Sequence, residues 1–406
     1  MEKLFVSYFD GQNQIPLDYA RSSYFYIFGI IFLLFLILLR RKREAANHNT
    51  GLEDLFSLET TTMFRGIAVI LAIVGHSALR CVDGVLPFRY VENSAPTIFL
   101  FVSGIGLSKS YGLSNLGKRF IVRRMRRLLF VFWITLLLFY FLNYLILHWT
   151  KSPLKIVITF LGLVFPLPPN DPAWFITYIV YLYLIYYAVS LLNVRDWVKC
   201  VIITLLSYCT TYAILYCRIL DRSLMDYFWL WPHYAAVFPL GVLIGQYREK
   251  LFSYLRTSYN FSPLLFWLTI MFFLFLYGAY VHPSVSSVTP GNVIGWTIKT
   301  VKLVSLIMVL MMIAYLLDDI KYESRMLTFL GKYSFEIYML HYPFMVYYDF
   351  FLFRRPLAVY FIAYCIFIML LSYGLKRSSE YLNRVVWGTY GLTHPGRAVV
   401  HAGVSG

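Results

Sequence analysis

A polytopic all-α bundle of transmembrane helices is the fold class this chain predicts, and three observations predict it. Hydrophobic residues fill 60% of the 406 positions and charged residues only 14%, far from the balance of a soluble domain. Apolar runs of about 20 residues, the length that crosses a hydrocarbon core, recur along almost the whole chain. The Lys and Arg residues between them favour every second turn, as cytoplasmic loops do. No stretch remains for a soluble domain, so a single membrane domain is expected.

The first apolar run, residues 24–39, is followed at once by Arg40-Arg41-Lys42-Arg43. Positive charge after the run marks a retained anchor rather than a cleaved signal peptide and places the N-terminus outside. Residues 1–60 then form an anchor helix and a basic cytoplasmic linker. Spans are expected over residues 62–79, 96–111, 128–147, 173–192, 198–216, 232–247, 263–281, 293–316, 327–348 and 356–375, about eleven with the anchor. The membrane domain is thus 61–376, and 377–406 is a polar cytoplasmic tail. Most basic residues fall in the loops this alternation puts inside. Arg80, Arg89, Lys151, Lys155, Arg218, Arg222, Arg354 and Arg355 are the exceptions. The apolar piece 154–167, ending in Pro166-Leu167-Pro168-Pro169, is too short to span and reads as interfacial or half-inserted.

The net charge of +16 would suggest nucleic acid in a soluble protein, but loop placement explains most of it here. Of the five cysteines, Cys200, Cys209, Cys217 and Cys365 lie in or beside predicted helices without metal-like spacing, and Cys81 sits at a span's outer end. Neither a metal site nor a disulfide is expected, and no phosphate-binding glycine loop is visible.

Four groups of residues carry the chemistry. Arg65 and His76 share one otherwise apolar helix, about 16 Å apart by helical rise. Ionisable groups at membrane depth cost a few kcal/mol, so such a pair is a functional-site candidate. Taken singly, a snorkelling arginine and a hydrogen-bonded bundle histidine also account for it. Next, Ser103-Gly104-Ile105-Gly106 offers small residues that permit close helix approach and would bring this helix near the one carrying His76. Third is the basic run Lys118 to Arg127, containing Arg119, Arg123, Arg124, Arg126 and Arg127. Anionic lipid or orientation explains part of its density. Guanidinium groups at a helix start also suit the phosphates of a donor such as coenzyme A. Fourth, Ser334, Tyr338 and His341 stand at i, i+4 and i+7, sharing one helix face while Glu336 points away. Counted from the cytoplasmic end, His341 lies about as deep as His76, so a shared polar site is expected.

These residues resemble the integral-membrane acyltransferase-3 family, whose members acylate bacterial surface and exported glycans, over roughly residues 61–375. The Arg-Gly then His pattern matches Arg65, Gly66 and His76, and the Ser-Gly helix matches Ser103 and Gly104. An Arg-x-x-Arg-Leu motif matches Arg124, Arg127 and Leu128, with Arg123 and Arg126 as the competing register. The Gly-x-Tyr-Ser-x-x-x-Tyr-x-x-His signature matches Gly331, Tyr333, Ser334, Tyr338 and His341. Many members carry a glutamate soon after a middle-helix Trp, whereas Trp174-Phe175-Ile176-Thr177-Tyr178 has no acid.

The resemblance implies an inner-membrane O-acyltransferase that uses acyl-CoA, most simply acetyl-CoA, and a glycan acceptor. His76, Arg65 and His341 become the expected catalytic residues, and the five arginines the donor-binding ones. Ser103, Trp174, Ser334 and Tyr338 are expected to line the substrate. The competing class is a transporter or flippase for an anionic or lipid-linked glycan, in which buried His and Arg bind a passing substrate. Lys299 and Lys302 in the ninth span would serve either. The basic run lies on one membrane face and no internal duplication is visible, which favours the enzyme.

Overall fold

The computed structural model describes residues 39–41, 56–79, 94–113, 116–147, 153–161, 173–216, 231–257, 267, 270, 293–319, 322–348, 351–352, 354 and 356–387. Their helices in chain order are α1 (Leu58–Leu79), α2 (Ser94–Tyr111), α3 (Lys118–Leu142), α4 (Pro153–Phe160), α5 (Trp174–Ser190), α6 (Asp196–Tyr216) and the single turn α7 (Trp231–Tyr234). Then follow α8 (Val237–Thr257), α9 (Val293–Asp319), α10 (Arg325–Lys332), α11 (Ser334–Val346) and α12 (Leu357–Trp387). The fold is all-α, as expected for a helical membrane protein. The one sheet described is a three-residue antiparallel ladder, β1 (Leu39–Arg41) on β2 (Tyr322–Ser324), with Arg40 opposite Glu323.

Three of these helices, over Leu58–Ala78, Phe120–Ile146 and Leu357–Val386, are long and apolar enough to cross a membrane; Trp174–Ser190 and Thr300–Met311 are shorter apolar helices. Two expected spans are interrupted. Residues 232–247 divide into α7 and α8, and residues 327–348 divide into α10 and α11 at Tyr333, whose φ of −111° and ψ of 11° leave the helical region. The basic run lies inside α3, whose N-terminal turns it forms. The piece 154–167 contributes only the eight-residue α4, too short to span, as expected. Most of the anchor, the 263–281 span and the tail beyond Trp387 lie outside the described residues.

Glycines set the closest helix contacts. A Cβ on Gly66 would stand 2.2 Å from the Leu327 carbonyl oxygen, and one on Gly331 would stand 1.8 Å from that of Thr62, so α10 lies backbone against backbone on α1. Between α2 and α8, a Cβ on Gly104 would meet the Phe238 oxygen at 2.5 Å, and one on Gly241 the Phe101 oxygen at 2.4 Å. This corrects the expectation for the small-residue stretch: α2 does pack on α1, but its glycine approach serves α8. Gly106 faces open space. Gly112, at φ 61°, takes the left-handed conformation that ends α2.

Buried polar groups tie the helix ends. Lys199 on α6, 4% exposed, donates its Nζ to the Leu113 carbonyl at 2.5 Å and the Ser190 carbonyl at 3.5 Å, closing the ends of α2 and α5 together. Gln246 of α8 accepts from Ser108 Oγ at 3.1 Å and donates to Asp196 at 2.7 Å, linking α2, α8 and α6. The apolar core between them is rich in aromatic rings, Phe101, Phe132, Phe139 and Phe238 among the fully buried.

Candidate functional site

His76 lies one turn from the end of α1 and is half-buried, while His341 lies mid-way along α11 and is fully buried. Their rings meet, with centroids 5.0 Å apart and His76 Nδ1 2.9 Å from His341 Nε2. The shared polar site expected from matched depth is therefore formed at these two residues. Its order follows from hydrogen-bond chemistry. His341 Nδ1 faces the Tyr338 carbonyl at 2.8 Å and the Ile337 carbonyl at 3.2 Å. A carbonyl only accepts, so Nδ1 carries the proton and, in a neutral ring, Nε2 accepts. It then accepts from His76 Nδ1–H, which leaves the lone pair of His76 on Nε2. The chain runs from the Tyr338 carbonyl through two rings to the lone pair of His76 Nε2.

Surrounding groups hold this pair. Tyr364 of α12, fully buried, donates its hydroxyl to the His341 carbonyl at 2.5 Å. Tyr342 sets its ring edge against the His76 ring at 4.9 Å. Tyr338 packs 5.6 Å from the His341 ring and is itself boxed by Phe99 and Phe175 at 5.4 and 5.5 Å. Pro343 supplies no N–H, and the Tyr347 and Tyr348 N–H groups both turn back to its carbonyl, ending α11 just beyond the site.

Arg65 is half-buried, about three turns before His76 on α1. Its Nη2 donates to Thr62 Oγ1 at 2.9 Å and its Nε to the Thr61 carbonyl at 3.4 Å. The ionisable groups acting on it are Glu336, Tyr183 and Arg124, so the α1 arginine stands close to the α3 basic run. Arg124 places its guanidinium 5.6 Å from the Tyr111 ring centroid. Arg127 shares that neighbourhood with Arg124, Tyr111 and Arg123. Of the two registers of the Arg-x-x-Arg motif, the one holding Arg124 and Arg127 makes the Tyr111 ring contact through Arg124, while Arg127 itself is exposed. Arg123 and Arg126 are half-buried on the same helix, and the Arg119 side chain lies outside the described residues.

The remaining expected residues spread around the pair. Ser103 is hydrogen-bonded to Tyr183 at 2.6 Å. Ser334 is buried at the start of α11, about 10 Å from His341 by helical rise. Trp174 stacks on Tyr234 at 5.5 Å and reaches the site through Phe175, which packs on Tyr338. Lys302 is buried on α9. Glu336 does leave the Ser334, Tyr338 and His341 stripe, but it does not face the surroundings: it is 7% exposed, within electrostatic reach of Lys376 and Glu380 of α12 and of Arg65. Sequence reasoning passed over it, although an acid in an apolar helix five residues after Gly331 is itself a signal. Tyr183 and Tyr342 were also passed over, for want of any distinguishing pattern among 35 tyrosines.

A helical membrane protein with a coupled histidine pair in its interior and an arginine cluster at one helix start is the class that fold and geometry define. The acyltransferase-3 family model, described as an acyltransferase domain, matches residues 62–377, more than three quarters of the chain. The chain belongs to that family and is a membrane acyltransferase, acting on an acyl donor and an acceptor. No curated protein and no solved structure matched it.

Proposed function

We propose that this enzyme moves an acyl group, acetyl in the simplest case, from cytoplasmic acyl-CoA to a hydroxyl of a cell-surface or exported glycan. It would work in the inner membrane with its N-terminus outside and C-terminus in the cytoplasm. The observation that carries the reading is the 2.9 Å contact of His76 with His341, which leaves His76 Nε2 as a base. The donor's phosphates dock on Arg119, Arg123, Arg124, Arg126 and Arg127, with Arg65 leading inward. The proximity of Arg65 to Arg124 supports this order. Forked guanidinium groups suit phosphate better than ammonium groups do.

The reaction then balances simply. His76 Nε2 takes the proton of the acceptor hydroxyl while that oxygen attacks the thioester carbonyl. The C–O bond forms, the C–S bond breaks, and the departing coenzyme A thiolate takes the proton back from His76. His341 holds the His76 ring in the required tautomer and stabilises its charged form, a positioning role. Tyr338 and Ser334 line the approach of the substrate, and Ser103 and Trp174 act through Tyr183 and Phe175.

The test is release of the coenzyme A thiol from acetyl-CoA by the purified full chain, with deacylated host surface glycan as acceptor. Glycan-dependent release by the wild type and its loss in His76→Ala, folded to the same yield, are expected. Undiminished release by His76→Ala removes the base.

A further inference from the structure

On α11 the stripe of Ser334, Tyr338 and His341 continues at helical spacing to Met345 and to Tyr348, two residues past the helix end. Tyr348 is 1% exposed, and its hydroxyl donates to Asn143 Oδ1 at 2.5 Å and lies 3.4 Å from the Phe139 carbonyl. Asn143, also 1% exposed, is where α3 gives way to the π-helical turn Asn143–Leu147. Its Nδ2 is buried with no hydrogen-bond partner among the described residues. Turning the amide over does not help, because the oxygen would then be the orphan. A buried amide with an unspent end costs stability unless a ligand completes it. π-helical turns are rare overall but frequent at functional sites.

The pair stands on the far side of the histidines from the arginine run. α3 begins with that run and reaches Asn143 after its full length, and α11 passes His341 before reaching Tyr348. The 139 and 348 rings are stacked at 5.9 Å, and Phe344 packs on both, so the polar pair is fixed between apolar walls. Seven residues separate it from His341, about 10 Å by helical rise. An amide and a phenol so arranged suit a neutral polyol, which offers hydroxyls that both donate and accept.

We propose that Asn143 and Tyr348 form a binding subsite for the acceptor, hydrogen-bonding a sugar hydroxyl neighbouring the one that His76 deprotonates. This rests on the acyl-transfer reading and names the acceptor side of that site. The test compares two acceptors with the purified full chain and acetyl-CoA: deacylated host surface glycan, and hydroxylamine, a small nucleophile with no ring to hold. Tyr348→Phe keeps the stack on Phe139, and Asn143→Leu keeps the bulk. Each is expected to raise KM for the glycan about tenfold, the effect of one lost hydrogen bond, and to leave the hydroxylamine rate within about twofold. An unchanged glycan KM, or a parallel fall with both acceptors, overturns the subsite. A wild type that releases no coenzyme A with either acceptor overturns the acyl-transfer reading itself, and the subsite with it.

Discussion

Replacing His341 by phenylalanine isolates the work of the second ring, because it retains an aromatic side chain but removes the acceptor that His76 Nδ1–H meets at 2.9 Å. The half-buried His76 donor then loses that partner, at about 1–3 kcal/mol. If the whole loss falls on the orientation and tautomer of the base, each 1.36 kcal/mol is tenfold, so kcat falls about 5- to 150-fold. Removing the base itself costs more, about 10²- to 10⁴-fold. His341→Gln separates the explanations, since its side-chain oxygen reaches as far as Nε2 and accepts as Nε2 does. The assay is steady-state coenzyme A release with KM measured for donor and acceptor. The expected order of kcat is wild type, His341→Gln, His341→Phe, His76→Ala, with the donor KM little changed. Equal losses in His341→Gln and His341→Phe would refute the tautomer argument, and so would a wild-type rate in His341→Phe.

Three further outcomes follow from particular contacts. Gly331→Ala puts a methyl 1.8 Å from the Thr62 carbonyl oxygen, so α10 must lift off α1; folded yield and thermal midpoint should fall, whereas Gly106→Ala, facing open space, should leave both unchanged. Lys199→Met removes the group that closes α2 and α5 together, leaving the Leu113 and Ser190 carbonyls unpaired, about 1–3 kcal/mol by thermal unfolding in detergent. Arg124→Gln should raise the KM for acetyl-CoA more than Arg126→Gln does, because Arg124 is the one turned toward Tyr111 and Arg65; a larger effect at 126 would reverse the chosen register.

The pair of rings was legible in the sequence because helical rise converts residue counts into depth, and two imidazoles at one depth in a bundle this size have few places to go. The arginine positions were legible for the same reason. The break at Tyr333 was not: an apolar run from 327 to 348 reads as one span, and the break falls beside the close approach of Gly331 to the Thr62 backbone, between segments far apart in sequence. Glu336 shows the limit of one-helix reasoning. Its angle away from the histidine stripe is correct, yet α11 packs on both α1 and α12, so the acid is buried. The small residues of α2 were correctly read as a close approach, but periodicity does not say to which neighbour, and α8 supplied the matching glycines. Asn143, the one amide in a long apolar run, was passed over, and its role emerged only when Tyr348 came beside it.

In the proposed reaction the His76 ring takes the proton from a glycan hydroxyl so that an acyl group can be attached there. Mass spectrometry of surface glycans tests it most directly, from host cells lacking the chain and carrying either the wild type or His76→Ala at equal membrane levels. The account predicts acyl-bearing sugars with the wild type and none with His76→Ala. Acylation restored by His76→Ala to the wild-type level would contradict it.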